Sequence, residues 1–239
     1  MRIAVISDIH ANLPALRAVL ADIKLQSPDL TVNLGDHLAG PIDPVAVANL
    51  LMEEDFPTIR GNHDRWLLEP PGGELTGVDR FVADRLTQEH YWWLRTQPAT
   101  MALPDVFMCH GTPQSDEAPW LDDWWTGRNH SQPDETQVAA LADGLDYPVL
   151  VCGHTHIPRA VRLKDGRLIV NPGSVGLQIN HGMPDAHYAI LDRVGGSWRA
   201  HKRMVPYDSE AAASAAEANG YPLWRAALIS GWESPQGLF

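Results

Sequence analysis

Side chains that can ligate transition metals follow five short apolar runs of the 239-residue chain. In chain order they are Asp8, His10, Asp36, Asn62, His63, His110, His154 and His156. Carboxylate, imidazole and amide oxygen form a borderline-hard donor set, which suits Mn, Fe or Zn better than Ca. Any single histidine of this kind is more often a hydrogen-bonded structural residue than a ligand. Coincidence at five successive strand ends is far less probable, so the sequence predicts a dinuclear metal site.

In two of the motifs, Asp8-x-His10 and His154-x-His156, a single residue separates the two candidate ligands. On an extended segment, residues i and i+2 project to the same side of the chain. We therefore expect each pair to present both of its side chains to one small volume.

Asp36 follows the apolar run 31–34 and Gly35. A buried strand that ends in this way delivers a carboxylate to the rim of a parallel sheet, where open α/β proteins bind their ligands. We expect Asp36 to bridge the two ions. A turn or helix cap is the simpler alternative for Asp8 and Asp36, and Asn62 could merely occupy a left-handed turn.

The elements that must position these residues begin with alternating strands and helices. The expected order is a strand at Ile3–Ile6, a helix capped by Asn12 and ended by Ser27, a strand leading to Asp36, a helix from Pro44 through Leu51 and a strand at Thr58–Ile59. This alternation predicts a parallel sheet with right-handed crossovers.

The second half of the chain changes in pattern. The sequence predicts mostly helix over 75–95, strands at Val106–Cys109 and Val149–Cys152, a hairpin of Arg159–Leu163 and Leu168–Val170, strands at His187–Leu191 and Trp198–Val205, and a helix at 210–218. Residues 111–133 have no clear period, which indicates an insertion or cap-like loop, and 232–239 are expected to form a frayed tail. No linker interrupts the chain, so one domain over 1–239 is expected.

Composition limits the partners that this protein can bind. The net charge of -12 argues against general affinity for nucleic acid or anionic membrane. A small phosphoester substrate remains compatible with that charge, because two divalent cations would dominate the local field. With no signal peptide, no transmembrane stretch and only two cysteines, a reduced, cytoplasmic protein is expected, whereas its oligomeric state is left open.

The motifs together resemble the calcineurin-like metallophosphoesterases, whose pattern is D-x-H, G-D, G-N-H-D/E, H and G-H-x-H. This sequence carries the whole set in order across residues 8–156, and the later run 171–174 resembles the compact bacterial and archaeal branch of phosphodiesterases. The resemblance implies an α/β fold, a two-sheet αββα sandwich with its dinuclear metal site at the C-terminal ends of the strands.

The resemblance also implies roles for the motif residues. It places Asp8, His10, Asp36 and His156 around one metal, and Asp36, Asn62, His110 and His154 around the other. It makes His63 the general acid rather than a ligand. Two divalent transition-metal ions, manganese first and Fe, Zn or Ni as alternatives, would activate a bridging hydroxide for attack on phosphorus while His63 protonates the departing oxygen.

One departure from the family pattern bears on the substrate. Family Ser/Thr protein phosphatases continue as G-D-x-x-D-R-G, but Ala39 and Gly40 stand here in place of the later Asp and the phosphate-gripping Arg. The loss favours a phosphodiesterase over a phosphomonoesterase or phosphoprotein phosphatase, although Arg60 or Arg65 could substitute. A catalytically silent metal-binding scaffold is the further alternative.

A nuclease is the least favoured reading. It would need a basic stripe with aromatic platforms. Trp120, Trp124 and Trp125 offer aromatic rings, but Asp116, Glu117, Asp122 and Asp123 surround them. The tryptophans could wall a substrate pocket, and ordinary loop packing or a subunit contact is the alternative.

Overall fold

Two sheets and a set of helices account for most of the chain. The structure, a computed structural model, describes residues 1–122, 131–179, 182–232 and 238. Its strands are Arg2–Ile6 (β1), Leu30–Asn33 (β2), Thr100–Ala102 (β3), Val106–Cys109 (β4), Val149–Val151 (β5), Arg159–Arg162 (β6), Leu168–Asn171 (β7), Ala186–Val194 (β8) and Ser197–Val205 (β9). Its α-helices are Leu13–Gln26 (α1), Pro44–Glu54 (α2), Asn62–Leu68 (α3), Gly77–Ala83 (α4), Gln88–Thr96 (α5), Glu135–Ala140 (α6), Ser209–Ala218 (α7) and Leu223–Ser230 (α8).

The strands form one sheet in the order β2-β1-β8-β9 and another in the order β3-β4-β5-β7-β6. β1 pairs with β2 in parallel, and β4, β5 and β7 also run parallel, so their carboxyl ends meet at one edge. The pairs β1–β8, β8–β9, β3–β4 and β6–β7 are antiparallel.

Alternation along β1 shows how the layers pack. Ile3 and Val5 belong to the apolar cluster between the two sheets, whereas Ala4 and Ile6 belong to the cluster that packs the first sheet against helices. Because both faces are covered, the strand is apolar throughout. A third cluster, which includes Val138 of α6, covers the outer face of the second sheet. The fold is therefore an α/β sandwich of two sheets with helices outside, as the resemblance implies.

Helix α1 shows how local sequence starts an element next to the site. The Asn12 side chain accepts a hydrogen bond from Ala15 N at 3.2 Å, which confirms its predicted role as the cap. Ser27 ends the helix in a left-handed conformation with a φ of 47°. The hairpins β6–β7 and β8–β9 and helix α7 are likewise confirmed.

Two expectations about elements were wrong. The strand expected at Thr58–Ile59 is reduced to one parallel bridge between Thr58 and Asn33. The chain turns into α3 directly afterwards, so Asn62 and His63 lie in the first turn of a helix rather than at a strand end. The expectation of mostly helix over 75–95 is confirmed, and this region consists of two helices, since the Thr87 side chain caps α5 by accepting a hydrogen bond from His90 N. The pattern also missed β3, α6 and α8.

The segments expected to be irregular fall partly outside the described residues. Residues 123–130 of the predicted cap-like loop and 233–237 and 239 of the predicted frayed tail belong to that part. Within the tail, Trp232 is exposed, whereas Leu238 is buried and its carbonyl accepts a hydrogen bond from Trp224 Nε1. Both cysteines are free and buried, as expected of structural thiols. No helix among the described residues combines the length and the apolar character needed to cross a bilayer.

Asp22 of α1 joins the helical layer to the first sheet. Its carboxylate accepts hydrogen bonds from Tyr188 Oη at 2.6 Å and from Arg203 Nε at 2.7 Å. The hydrogen bond from Arg203 lowers the pKa of Asp22. A carboxyl group whose pKa is lower in the folded state stabilises the fold above its unfolded pKa, and this contribution is lost as the pH falls through the folded value.

We predict that Asp22→Ala lowers the free energy of unfolding by about 1–3 kcal/mol at neutral pH, because it leaves the Tyr188 hydroxyl without its charged acceptor. Urea denaturation at a series of pH values measures the difference, which should shrink as the pH falls below the ordinary carboxyl value of 3.8. Glu53→Ala, at an exposed acid of α2, is the control. A loss that does not depend on pH would contradict the charged hydrogen bond.

Candidate metal centre

Five of the candidate ligands have left-handed backbone conformations. The φ angles are 55° at Asp8, 47° at His10, 54° at Asp36, 67° at His154 and 59° at His156. Non-glycine residues seldom adopt this region, and each costs about 1–3 kcal/mol. The expectation that the D-x-H and H-x-H segments are extended was therefore wrong, and their side chains reach the site through tight turns at the strand ends.

The structure nevertheless brings the predicted ligands together. Two groups of donor atoms form, in each of which all ligand atoms lie within 4.8 Å of one another. One group consists of Asp8, His10 and His156, and the other of Asp36, His110 and His154. The two histidines of the H-x-H motif thus contribute to different groups.

Asp36 connects these groups, and Asn62 joins the second of them. Asp36 Oδ2 lies 3.2 Å from His110 Nε2 and 4.0 Å from His10 Nε2, between the two donor sets. Asn62 Oδ1 lies 3.1 Å from His110 Nε2 and 3.0 Å from His154 Nδ1. All seven predicted ligands therefore share one pocket, and Asp36 occupies the position that a bridging carboxylate requires.

Main-chain carbonyls fix the orientation of each ligand histidine. The Nδ1 atoms of His10, His110 and His156 lie 2.8, 2.8 and 2.7 Å from carbonyl oxygens, and Nε2 of His154 lies 2.8 Å from another. The accepting residues are, in the same order, Ala39, Leu34, Leu177 and Glu117. Because a carbonyl can only accept, each of these ring nitrogens carries a proton, and the opposite nitrogen points into the pocket.

The Nε2 atoms of His10 and His156 lie next to each other in the pocket. They face each other at 3.0 Å, while each Nδ1 donates its proton to a main-chain carbonyl. Burial lowers the pKa of His10 to about 4, so this ring is neutral at physiological pH. A metal ion held at this point would be within reach of both rings.

Charge in the pocket is balanced between carboxylates and His110. Burial opposes ionisation of Asp8, but attraction to His156 outweighs it and lowers the Asp8 pKa to about 2. Burial also opposes protonation of His110, but the neighbouring Asp36 outweighs it and raises the His110 pKa to about 10. The His110 ring and the Asp36 carboxylate therefore attract each other, and a metal held there would compete with a proton for the ring nitrogen.

Asp64 joins the loop of Asp36 to the start of α3. Its carboxylate accepts hydrogen bonds from the main-chain N–H groups of Asp36 at 2.7 Å, His37 at 3.1 Å and Gly61 at 2.9 Å. It is fully buried. The sequence motif contained Asp64 without assigning it a role. Its position three residues into a helix that follows glycine was the available signal, because that spacing is typical of a capping box.

The run 171–174 holds the other two loops in place. Asn171 Nδ2 donates to Gly153 O at 2.7 Å, and Ser174 Oγ donates to Asp8 O at 2.7 Å. The loops that carry Gly153 and Ser7 approach each other so closely that a Cβ at Gly153 would lie 2.0 Å from Ser7 Oγ. A side chain at Gly61 would lie 2.1 Å from Asp36 Oδ1. Glycine is therefore required at both positions by close approach to the ligand loops.

His63 lies at the edge of the pocket rather than in either donor group. Its main-chain N–H donates to Asp36 Oδ1 at 3.0 Å, and its Nδ1 lies 3.1 Å from Asp79 Oδ1. Its ring packs edge-on against Trp66, with centroids 4.5 Å apart. Burial lowers the pKa of His63, but Asp36 and the hydrogen bond to Asp79 outweigh it, so the pKa is raised above its ordinary value. Sequence reasoning missed Asp79.

The described part of the predicted cap-like loop forms one wall of the site. Besides the Glu117 carbonyl that accepts from His154, Arg65 Nε donates to Asp116 Oδ2 at 2.7 Å. Trp120 is buried and donates from Nε1 to Val138 O at 3.0 Å, which is loop packing rather than a substrate platform. Trp124, Trp125 and Asp123 lie outside the described residues.

The chain belongs to the calcineurin-like phosphoesterase superfamily, whose domain model matches residues 1–195. This match confirms the family that the motifs indicated. The fold and the grouping of Asp and His side chains agree with it.

The alignments with similar proteins cover almost the whole chain. An uncharacterised protein of Methanocaldococcus jannaschii is 28% identical over 247 residues, covering 93% of this chain and 94% of the relative. The crystal structure of a metallophosphoesterase from Sphaerobacter thermophilus has a TM-score of 0.80 at 26% identity and covers 97% of this chain and 99% of that one. A hypothetical protein from Pyrococcus horikoshii also has a TM-score of 0.80, at 19% identity, with coverage of 98% and 99%. The last likeness shows the fold alone.

We predict that the chelator-treated protein binds two equivalents of Mn²⁺ by calorimetry, and that binding raises its melting temperature, because the site exists only in the folded chain. Asp36→Ala should weaken both binding events, since its carboxylate lies between the donor groups. His201→Ala, which alters a histidine with a side chain 57% exposed, should change neither. Two unaltered binding events in Asp36→Ala would contradict the bridging position.

Asp64→Ala should destabilise the fold and weaken metal binding together. Each main-chain N–H that loses its buried acceptor costs about 1–3 kcal/mol, and loss of such support typically lowers metal affinity by about 10–100-fold. The control is Asp43→Ala, which removes the cap on Ala46 N at the start of α2 and should cost about 1 kcal/mol without altering affinity. Equal metal affinity in the two variants would show that Asp64 does not shape the site.

Proposed function

We propose that this protein is a dinuclear metal-dependent phosphoester hydrolase that prefers phosphodiesters and uses His63 as its general acid. The observation that supports the metal centre most directly is the arrangement of the four ligand histidines. Each ring gives one N–H to a main-chain carbonyl. The other nitrogens of His10, His110 and His156 face the carboxylates of Asp8 and Asp36, and that of His154 faces Asn62 Oδ1. The convergence of so many buried imidazole and carboxylate groups in one pocket is difficult to explain without a cation.

The donor set fits two transition-metal ions, for which we propose Mn²⁺ first. Asp8, His10, His156 and Asp36 would hold one ion, and Asp36, Asn62, His110 and His154 the other. When bound, such ions activate water and neutralise charge on phosphoryl oxygens. The chain itself contributes a rigid, buried pocket, in which the ligands need little rearrangement, and a histidine at its rim.

His63 is placed to move a proton rather than to hold a metal. Its Nδ1–H is engaged by Asp79, so the transferable proton is on Nε2. Asp36 and Asp79 raise the pKa of His63, which favours the protonated ring that a general acid needs. Its main chain is tied to Asp36, so the ring stays at a fixed place relative to the ligands.

Charge beside the site supports a diester substrate. A cleft of about 400 Å³ opens next to His110, and Arg65 is the one Arg or Lys side chain among the described residues that line it. Arg65 already pairs with Asp116 and Glu117, so it has little capacity left for a phosphate. A monoester brings a second negative charge that this wall does not meet, whereas a diester brings one. Arg60, the other arginine that could substitute for the phosphate-gripping Arg, is not among the described residues that line this cleft.

The alternatives differ in measurable ways. A phosphomonoesterase or phosphoprotein phosphatase would use the same site but favour a terminal phosphate, and a silent scaffold would bind metal without turnover. No predicted ligand is replaced in this sequence, and the pocket is assembled, which favours an enzyme over a scaffold. A small phosphoester remains the proposed partner, and a cytoplasmic location remains the expectation from the sequence.

The first experiment removes metal and restores Mn²⁺, Ni²⁺, Zn²⁺ or Fe²⁺ separately. Each form is assayed on bis-nitrophenyl phosphate, nitrophenyl phosphate and a phosphopeptide. We expect no turnover after chelation, recovery with Mn²⁺, and the highest kcat/KM on the diester. A higher value on the monoester or phosphopeptide would overturn the diester preference, and metal binding without any hydrolysis would favour the scaffold.

The second experiment tests the acid. His63→Ala should slow esters of poor leaving groups by about 100-fold or more, because general acid catalysis contributes about 10²–10⁴-fold. Nitrophenyl esters, whose leaving group departs readily without a proton, should change far less. The same loss on both kinds of ester would rule out the acid role.

A further inference from the structure

Helix α4 brings a carboxylate to His63 from a part of the chain outside the metal-binding motifs. Asp79 Oδ1 lies 3.1 Å from His63 Nδ1, with side chains 16% and 10% exposed respectively. In this partly dehydrated place an ionised carboxylate is a strong acceptor for a ring N–H. The contact fixes both the tautomer and the plane of the ring.

The position of α4 depends on the C-terminal helices. Val78, Phe81 and Val82 anchor the helix in the core. Tyr221, which lies between α7 and α8, donates a hydrogen bond to Gly77 O at 3.0 Å, and its ring packs edge-on against Phe81 with centroids 5.4 Å apart. These contacts hold the first turn of α4, which carries Asp79, against the edge of the site.

We propose that Asp79 is the positioning residue of His63, holding the ring through Nδ1 so that Nε2 faces the leaving group of the bound phosphoester. The inference deepens the proposed function and rests on it. Asp79 does not contact the metal ligands' donor atoms in the described residues, so its effect passes through His63.

A purely structural role for Asp79 makes a different prediction. As an acid in the first turn of α4, it also interacts favourably with the helix N-terminus. Removing only that contribution would lower stability and leave the relative rates of different esters unchanged. Removing a positioning contact would change the dependence of rate on the leaving group, which is the measurement to make.

The test uses the Mn²⁺-loaded protein and a series of aryl phosphodiesters whose leaving phenols differ in acidity. We expect Asp79→Ala to reduce kcat for the poorest leaving groups by about 10–100-fold, as partial loss of acid catalysis, and to affect nitrophenyl esters little. Asp79→Glu keeps the acceptor and should recover part of the loss. Asp84→Asn, which alters an exposed acid at the other end of α4, is the matched control and should retain the parent profile.

The double variant His63→Ala/Asp79→Ala separates this inference from the proposed function. If Asp79 acts through His63, the double variant should be no slower than His63→Ala alone. Additive losses, or an Asp79→Ala variant that slows every ester by one common factor, would overturn the positioning role. If His63→Ala itself shows no dependence on the leaving group, the proposed acid fails first, whatever Asp79 does.

Discussion

The candidate metal centre depends on one kind of contact, a ring N–H donated to a main-chain carbonyl. Each of the four candidate ligand histidines makes it. Two of the carbonyls lie in the loop that follows β2, and the other two come from two later segments of the chain. The acceptor is backbone, so the identity of the accepting residue matters less than the path of its chain. The path of the main chain, rather than the side chains of the accepting residues, therefore determines where the second nitrogen of each ring points.

The sequence was sufficient to predict which residues meet, because carboxylates and imidazoles after buried strands can gather only at the carboxyl edge of a parallel sheet. It was not sufficient to predict how they meet. The expected extended geometry of Asp8-x-His10 was replaced by left-handed turns, which depend on contacts from distant residues such as Ser174. Strained turns of this kind produce no periodic pattern of apolar and polar residues in the sequence.

The sequence could not predict contacts between residues that lie far apart in the chain. Nothing near His63 in the sequence indicates that Asp79 reaches its ring, because the intervening chain folds into α3 and a turn before α4 begins. The segment 111–122 likewise has no periodicity, yet its Glu117 carbonyl orients His154 and its acids occupy Arg65. Residues that tune the site thus come from elements that hydrophobic patterning does not resolve.

The strand order determines when the first sheet can form during synthesis of the chain. β1, which leads to Asp8, lies between β2 and β8, so its sheet is incomplete until residues 186–194 have left the ribosome. The main-chain oxygen of Asp8 is also held by Ser174, late in the chain. A nascent polypeptide therefore carries Asp8 and His10 long before the strand and the loop that hold them in place have been synthesised.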